Sequence, residues 1–197
     1  MNYLAHIFLS GENEEIIIGN FIGDYVKGKK FKKYSESVRK GIILHRNIDS
    51  FTDRNEIIIK TKSLLNKKYG KYSGIVVDIL YDHFLTRNWH EFSSQSLNDF
   101  IENLHKILIR YSEILPEKVK HFLPSFIDDN WIRTYKSIKG IEIVLQRMSE
   151  NTTLPDETDF AIDTLKTFYG EIETDFLNYF PKLMKFVTEK FNISFNY

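Results

Sequence analysis

The stretch 76-VVDILYDHFLTRNW-89 decides the fold, because it is apolar on nearly every side and yet carries Asp78, Asp82 and His83. At about 100° per residue, its hydrophobic side chains surround the axis, as in a helix that is buried all round. A buried carboxylate is costly unless it is paired or bound to a metal. We therefore predict a central helix over 72–90 whose carboxylates have a compensating partner.

The composition is that of one folded domain. The chain has 197 residues, of which 42% are hydrophobic and 27% charged, enough to bury a sizeable core. It contains no cysteine, so a disulfide framework and a thiolate zinc site are both excluded. Any metal must be held by His, Asp, Glu or Asn. We expect residues 1–197 to form a single, compact, all-helical domain.

Helical spacing dominates the rest of the chain, and alternation of period two is hard to find. Ser96 followed by Asp99 suits a helix N-cap, as does Asp53 followed by Glu56, while Pro116 suits a first helical turn. The first ten residues form a short helix or an extended segment. The other predicted helices cover 13–26, 34–51, 55–69, 72–90, 96–112, 116–127, 129–149 with a break near Gly140, and 156–191.

Charge is unevenly spread along a chain whose net charge is zero. Residues 27–71 hold fourteen basic and four acidic side chains, or about +10, so the remainder carries about −10. This segment is either a docking surface for an acidic partner or an ordinary solvated lysine surface. We expect no nucleic-acid partner, since the net charge is zero and no binding motif is present.

No segment reaches the roughly 18 consecutive apolar residues of a membrane span, and the N-terminus lacks the features of a secretory signal. We therefore expect no membrane association and a cytoplasmic location.

Two predicted helices each carry a pair of ligand-capable side chains at i and i+4. His45 and Asp49 share a face with branched aliphatic residues, and Asp78 and Asp82 lie on the central helix. Facing each other, the two pairs would suit a divalent ion such as Mn, Mg, Fe or Zn. The alternatives are a His45 bonded to a carbonyl group and an Asp78 paired with an arginine.

Two further candidates precede these helices. His6 lies in the segment 1-MNYLAH-6, and Asp24 lies in 19-GNFIGDYVKG-28, where Gly19 and Gly23 would allow close backbone approach.

Four blocks, in this order, resemble the bacterial acyl carrier protein phosphodiesterase family. They are 1-MNYLAH-6, 19-GNFIGDYVKG-28, 41-GIILHRNIDSFTD-53 and 76-VVDILYDHFLTRNW-89. The family is related to the all-helical HD-type metal-dependent phosphohydrolases, which implies an HD-like domain. In the HD enzymes an adjacent His-Asp pair supplies two ligands, whereas the order here is Asp82-His83.

The resemblance implies hydrolysis of the phosphodiester between 4′-phosphopantetheine and a serine of holo acyl carrier protein, a small acidic partner, with Mn²⁺ as the favoured ion. The alternatives are an HD-like phosphohydrolase of a nucleotide or other small phosphate ester, and a catalytically silent helical binding protein. We expect catalytic roles for Asp24, His83 and Arg46. The predicted metal ligands are His6, Asp24, His45, Asp49, Asp78 and Asp82.

Overall fold

The computed structural model describes residues 2–195. Within this range the backbone forms α-helices joined by short 3₁₀ helices and no β-strand, so the expected all-α fold is confirmed. The prediction of one HD-like domain over residues 1–197 stays a prediction. The α-helices are Tyr3–Phe8 (α1), Glu14–Phe21 (α2), Glu36–Asp53 (α3), Glu56–Tyr69 (α4), Ser73–Arg87 (α5), Leu97–Arg110 (α6), Glu117–Asp128 (α7), Trp131–Thr134 (α8), Ile138–Asn151 (α9), Thr158–Thr167 (α10) and Tyr169–Phe191 (α11).

The segment 129–149, expected to be helical with a break near Gly140, forms α8 and α9. The break lies just before Ser137, whose hydroxyl accepts a hydrogen bond from the Gly140 amide and caps α9. The expected break near Gly140 is therefore confirmed, a few residues before the glycine itself. Gly140 lies in the first turn of α9, where a Cβ atom would overlap the carbonyl group of Thr134.

Two other expected helices are shorter than predicted. The segment 13–26 is helical only as far as Phe21, after which the chain turns through a 3₁₀ helix at Gly23–Tyr25. The segment 156–191 is divided at Phe168 into α10 and α11.

Two cap predictions have opposite outcomes. The Ser96 hydroxyl accepts a hydrogen bond from the Asp99 amide, which confirms the predicted cap of α6. The predicted cap at Asp53 is wrong, because Asp53 is the last residue of α3. The side chain of Asn55 caps α4 instead, by accepting from the Ile57 amide.

The central position of α5 follows from its composition. From Ile79 to Thr86 every residue is buried, and so are Val76 and Val77. The helix packs against α1, α4, α9 and α11, which bury most of its surface. None of the helices in residues 2–195 is both long and apolar enough to cross a membrane.

Helices α2 and α3 pack backbone to backbone at a pair of glycines. A Cβ atom on Gly19 would overlap the Val38 carbonyl group, and one on Gly41 would overlap the Ile16 carbonyl group. Only glycine allows helix axes to approach this closely. This contact fixes the distance between α2 and the side chains that α3 carries.

The short helix α1 is held by the central helix. Its first amides point at the buried carboxylate of Asp82, which accepts from Leu4 N at 2.8 Å and from Ala5 N at 3.2 Å. These hydrogen bonds satisfy donors that a helix N-terminus leaves free. Asp82 thus has the compensating partner that a buried carboxylate needs, and α1 is fixed against α5.

The acidic C-terminal helices pack onto the basic N-terminal ones, as their opposite charges predict. The ammonium of Lys60 lies 2.9 Å from Glu171 and 3.1 Å from Asp175, and that of Lys68 lies 3.1 Å from Glu157. Exposed pairs of this kind stabilise a fold by only about 0–1 kcal/mol each. These pairs neutralise part of the positive charge of α4.

Replacing Gly19 by alanine should destabilise the protein by at least about 2 kcal/mol, because the added methyl group overpacks the contact between α2 and α3. Urea denaturation followed by circular dichroism measures the change. Gly170→Ala is the matched control, since a Cβ atom there meets nothing within 4 Å. Equal unfolding midpoints for the two variants would show that the glycine contact is not tight.

Replacing Asp82 by alanine should lower the free energy of unfolding by about 1–3 kcal/mol, since it leaves the buried amides of Leu4 and Ala5 without an acceptor. Burial raises the pKa of Asp82 to about 7, above its ordinary value of 3.8. The folded protein therefore keeps this proton where the unfolded chain has lost it, and the carboxyl group's contribution to stability declines as the pH rises from about 4 to 7.

The cost of Asp82→Ala should accordingly be larger at pH 5 than at pH 8, in urea denaturation at both values. Asp163→Ala, which removes an exposed aspartate from α10, is the control and should change little at either pH. A cost for Asp82→Ala that rises with pH would contradict this account.

Candidate metal centre

Three side chains from two helices meet at one point. His6 comes from α1, and His45 and Asp49 come from successive turns of α3. One potential ligand atom from each lies within 4.8 Å of the others. The Nε2 atom of His6 is 3.2 Å from Asp49 Oδ1, and the Nε2 atom of His45 is 3.3 Å from Asp49 Oδ2. Both imidazoles thus point the same nitrogen at one carboxylate.

The asparagine of the 19-GNFIGDYVKG-28 block determines which nitrogen of each imidazole carries the proton. His45 Nδ1 lies 2.9 Å from the main-chain oxygen of Asn20, which can only accept, so this nitrogen is protonated. The Asn20 amide nitrogen faces the His6 carbonyl oxygen at 2.6 Å, and its side-chain oxygen is therefore the atom at 2.9 Å from His6 Nδ1. Both Nδ1 atoms donate, and both Nε2 atoms keep a lone pair directed at the cluster.

Asn20 was not among the residues singled out from the sequence. It is fully buried between α1 and α3, and its amide nitrogen also donates to the hydroxyl of Ser10 at 2.9 Å. A buried amide with all its groups bonded is a rigid support for neighbouring rings. Its position between Gly19 and Asp24, inside a block already selected for its glycines, was the available signal.

The two imidazole rings are held in a parallel stack. Their centroids are 4.0 Å apart and their planes are inclined by 19°. The ring of His45 occupies the space that a side chain at Gly23 would need. Both histidines are buried, with 4% and 6% of their surface exposed. The glycine therefore serves to admit an imidazole rather than to form a turn.

The cluster favours neutral imidazole beside ionised carboxylate. Burial and the charge of His45 lower the pKa of His6 to about 4, so its ring is neutral at pH 7. For Asp49, burial alone would raise the pKa, but a hydrogen bond from the protonated form of His6 and the charges of both protonated imidazoles outweigh burial, and the pKa falls. A metal ion requires these protonation states of its ligands.

The arrangement fits a divalent cation. Two ligand atoms each about 2.1 Å from one ion, at angles between octahedral and tetrahedral, lie about 3.0–3.4 Å apart. The separations of 3.2 and 3.3 Å measured to Asp49 fall in this range. Among the described residues, His45 Nε2 is a buried atom that makes no hydrogen bond. A buried lone pair without a partner is energetically costly, and a bound cation would satisfy it.

Asp24 and Asp78 lie at the edge of the cluster. The Asp24 carboxylate is 3.5 Å from His45 Nε2, and its side chain is 74% exposed. A hydrogen bond from the protonated form of His45 lowers the pKa of Asp24 to about 2. Asp78 lines the same cavity, and burial raises its pKa. Both remain predicted ligands. Asp24 lies on the solvent side of His6, His45 and Asp49, where it could add a fourth ligand.

The structure does not bring the other three predicted residues to the cluster. Asp82 is occupied by the amides of α1. His83 lies with Nδ1 at 2.6 Å from the Tyr135 carbonyl oxygen and Nε2 at 2.9 Å from the Tyr169 hydroxyl.

Arg46 points to the loop that follows α2. It donates to the carbonyl oxygens of Val26 at 2.7 Å and Gly28 at 3.1 Å, and its guanidinium lies 5.2 Å from the centre of the Phe31 ring. Its contacts hold the 3₁₀ helix Gly28–Lys33 against α3.

The cluster lies in the wall of a cleft of about 850 Å³. His6, Asn20, Asp24 and His45 contribute to one part of its lining, and the rest comes largely from α7, α8, α9 and the residues between them. The aromatic residues of the lining are Tyr3, Phe21, Tyr25, Phe122, Trp131 and Tyr135. A cleft of this size, apolar with a few convergent polar groups, is typical of a small-molecule site.

Comparison with known proteins finds relatives that align over nearly their whole length. Proteins named acyl carrier protein phosphodiesterase from Yersinia enterocolitica and Photorhabdus laumondii are both 27% identical to this chain, over 191 and 186 residues. These alignments cover 96% and 94% of this chain, and 99% and 94% of the relatives. One from an Enterobacter species is 28% identical over 188 residues, covering 93% of this chain and 96% of the relative. No solved structure matches the chain significantly.

The similarity to one protein family extends well past the four sequence blocks, which end at residue 89. A model of the family described as acyl carrier protein phosphodiesterase matches residues 1–183, which include the cluster, the cleft and most of α11. The chain therefore belongs to the acyl carrier protein phosphodiesterase family.

Proposed function

We propose that this protein hydrolyses the phosphodiester between 4′-phosphopantetheine and a serine of holo acyl carrier protein, giving apo carrier and free 4′-phosphopantetheine. The observation that carries the proposal is the pair of buried Nε2 lone pairs aimed at Asp49, in the wall of a cleft, in a member of this family. A protein that merely binds a partner has no use for such a costly arrangement.

His6, His45 and Asp49 would hold a divalent ion, with Asp24 as the fourth ligand. When bound, such an ion lowers the pKa of water and stabilises negative charge on phosphate oxygens. Two imidazoles and two carboxylates are compatible with Mn²⁺, which the family resemblance favours, and also with Fe²⁺ or Zn²⁺.

The protein's own groups have distinct tasks in this proposal. A carboxylate with a pKa of about 2 is a weak proton acceptor near pH 7, so Asp24 acts as a ligand and orients water at the mouth of the cluster. Arg46 and His83 act through position, the first by holding the loop after Asp24 and the second by bonding to Tyr135 in the cleft wall. Asp82 fixes α1 and thereby His6.

The carrier protein would dock on a lysine-rich turn next to the cluster. We call Lys27–Lys33 the basic turn; its five lysines are all exposed, and the described residues show no ion pair to any of them. The turn follows Asp24 directly, and the charge of Lys27 contributes to the low pKa of that carboxylate. A small acidic carrier would be attracted here in the cytoplasm, with an affinity that falls as salt rises.

The reaction is tested by incubating the purified protein with holo carrier protein and Mn²⁺ and recording the intact mass of the carrier. We expect loss of the phosphopantetheine group, dependent on the added ion. His45→Ala and Asp49→Ala should each reduce turnover at least about a hundred-fold, beyond what removal of a group that only orients ligands usually costs. Asp53→Ala is the control, one turn further along α3 and exposed.

An unchanged carrier mass with every divalent ion tried would refute the proposal. Turnover of a nucleotide under the same conditions would favour the alternative phosphohydrolase.

The support given by Asn20 is tested separately. Asn20→Ala should weaken Mn²⁺ binding about 10- to 100-fold, since His6 loses the side-chain oxygen that fixes its protonated nitrogen, while His45 keeps the main-chain oxygen of residue 20. Isothermal titration calorimetry measures the affinity. Asn66→Ala, on the exposed face of α4, should bind as the wild type does. If Asn20→Ala were folded and bound Mn²⁺ with unchanged affinity, the side-chain hydrogen bonds of Asn20 would not control the site.

A further inference from the structure

We propose that the cleft beside the cluster is the binding site of the pantetheine arm, the uncharged chain with two amides that extends from the phosphate. This inference rests on the proposed function and adds to it a location for the half of the substrate that is not protein. Nothing in the membership of a family says where that half lies.

Continuity between cluster and cleft is the first argument. His6 and His45 supply ligand atoms to the cluster, Asp24 lies at its edge, and all three residues line the cleft. A phosphate held at the cluster therefore has one of its two ester substituents inside the cleft. The volume of about 850 Å³ is within the range of about 300–1,000 Å³ that small-molecule sites occupy, and it is far too small for a folded carrier.

The position of the basic turn decides which substituent enters. Its exposed lysines begin three residues after Asp24, on the outer surface of the molecule. An acidic protein attracted to them remains outside the cluster. The flexible arm is then the substituent that enters the cleft.

The character of the remaining wall fits such an arm. Ile143, Val144 and Met148 of α9 provide apolar surface, and Thr134 and Asn151 provide groups able to bond to an amide. The pantetheine arm carries amides between apolar methylene and methyl groups. A site that binds it therefore needs both hydrogen-bonding groups and apolar surface.

The charges of the wall disfavour a more anionic ligand. Arg147 lies 2.9 Å from Asp129 and is neutralised by it, while Glu150 adds a negative charge to the lining. Away from the cluster the cleft therefore offers no net positive charge. A ligand with one phosphate at the cluster end and a neutral tail suits this distribution better than a nucleoside polyphosphate does.

The proposal is tested by substitutions on α9 that place a larger side chain in the cleft. Ile143→Trp and Met148→Trp each place a larger side chain in the lining at a partly exposed position, so at least one is expected to fold. Ile109→Trp is the matched control, at an isoleucine that is 59% exposed on α6. Thermal unfolding by circular dichroism identifies the variants that fold. Calorimetry then measures the binding of 4′-phosphopantetheine and of AMP to each Mn²⁺-saturated protein, as well as the binding of Mn²⁺ itself.

We expect each folded cleft variant to bind 4′-phosphopantetheine at least about ten-fold more weakly than wild type, and to raise KM for holo carrier similarly. Their Mn²⁺ affinity should stay within about two-fold of wild type, and Ile109→Trp should match wild type throughout. Wild-type affinity for 4′-phosphopantetheine in the folded cleft variants would overturn the inference, as would tighter binding of AMP than of 4′-phosphopantetheine to the wild type. Failure of the proposed function is distinguishable, because it would appear as an unchanged mass of the carrier with the wild-type protein.

Discussion

The candidate site depends on one buried amide. Asn20 accepts a hydrogen bond from His45 with its main-chain oxygen and one from His6 with its side-chain oxygen. These bonds leave a lone pair on each Nε2 atom and aim both at Asp49. Without these bonds either imidazole ring could rotate or change its tautomer. The two Nε2 atoms would then no longer both be acceptors directed at Asp49.

The glycine contact between α2 and α3 makes this amide effective. Gly19 and Gly41 bring the two backbones close enough for a main-chain oxygen of one helix to reach an imidazole on the next. Gly23 leaves room for the ring of that imidazole. The affinity of the site for a cation is thus set by packing that lies outside the cluster, and the same packing carries part of the stability of the fold.

Local periodicity was sufficient to predict one side of the site. His45 and Asp49 are separated by four residues on one helix, so their common direction follows from helix geometry alone. Asp82 likewise has the compensating partner that a buried carboxylate needs. Its partner, however, is the N-terminus of a helix 77 to 78 residues away, and no spacing within the central helix indicates that. Asn20 was missed for the same reason, since its hydrogen bonds join separate helices. The break near Gly140 was predicted, but its position depends on the cap at Ser137. The break at Phe168 was not predicted from the periodicity.

A chain without cysteine has a chemical consequence for the product that we propose it releases. Free 4′-phosphopantetheine ends in a thiol, and among residues 2–195 the lining of the cleft in which we place it contains sulfur only as the thioether of Met148. No mixed disulfide can form between the protein and its product, even under oxidising conditions. The protein would therefore not become covalently linked to the thiol that it releases.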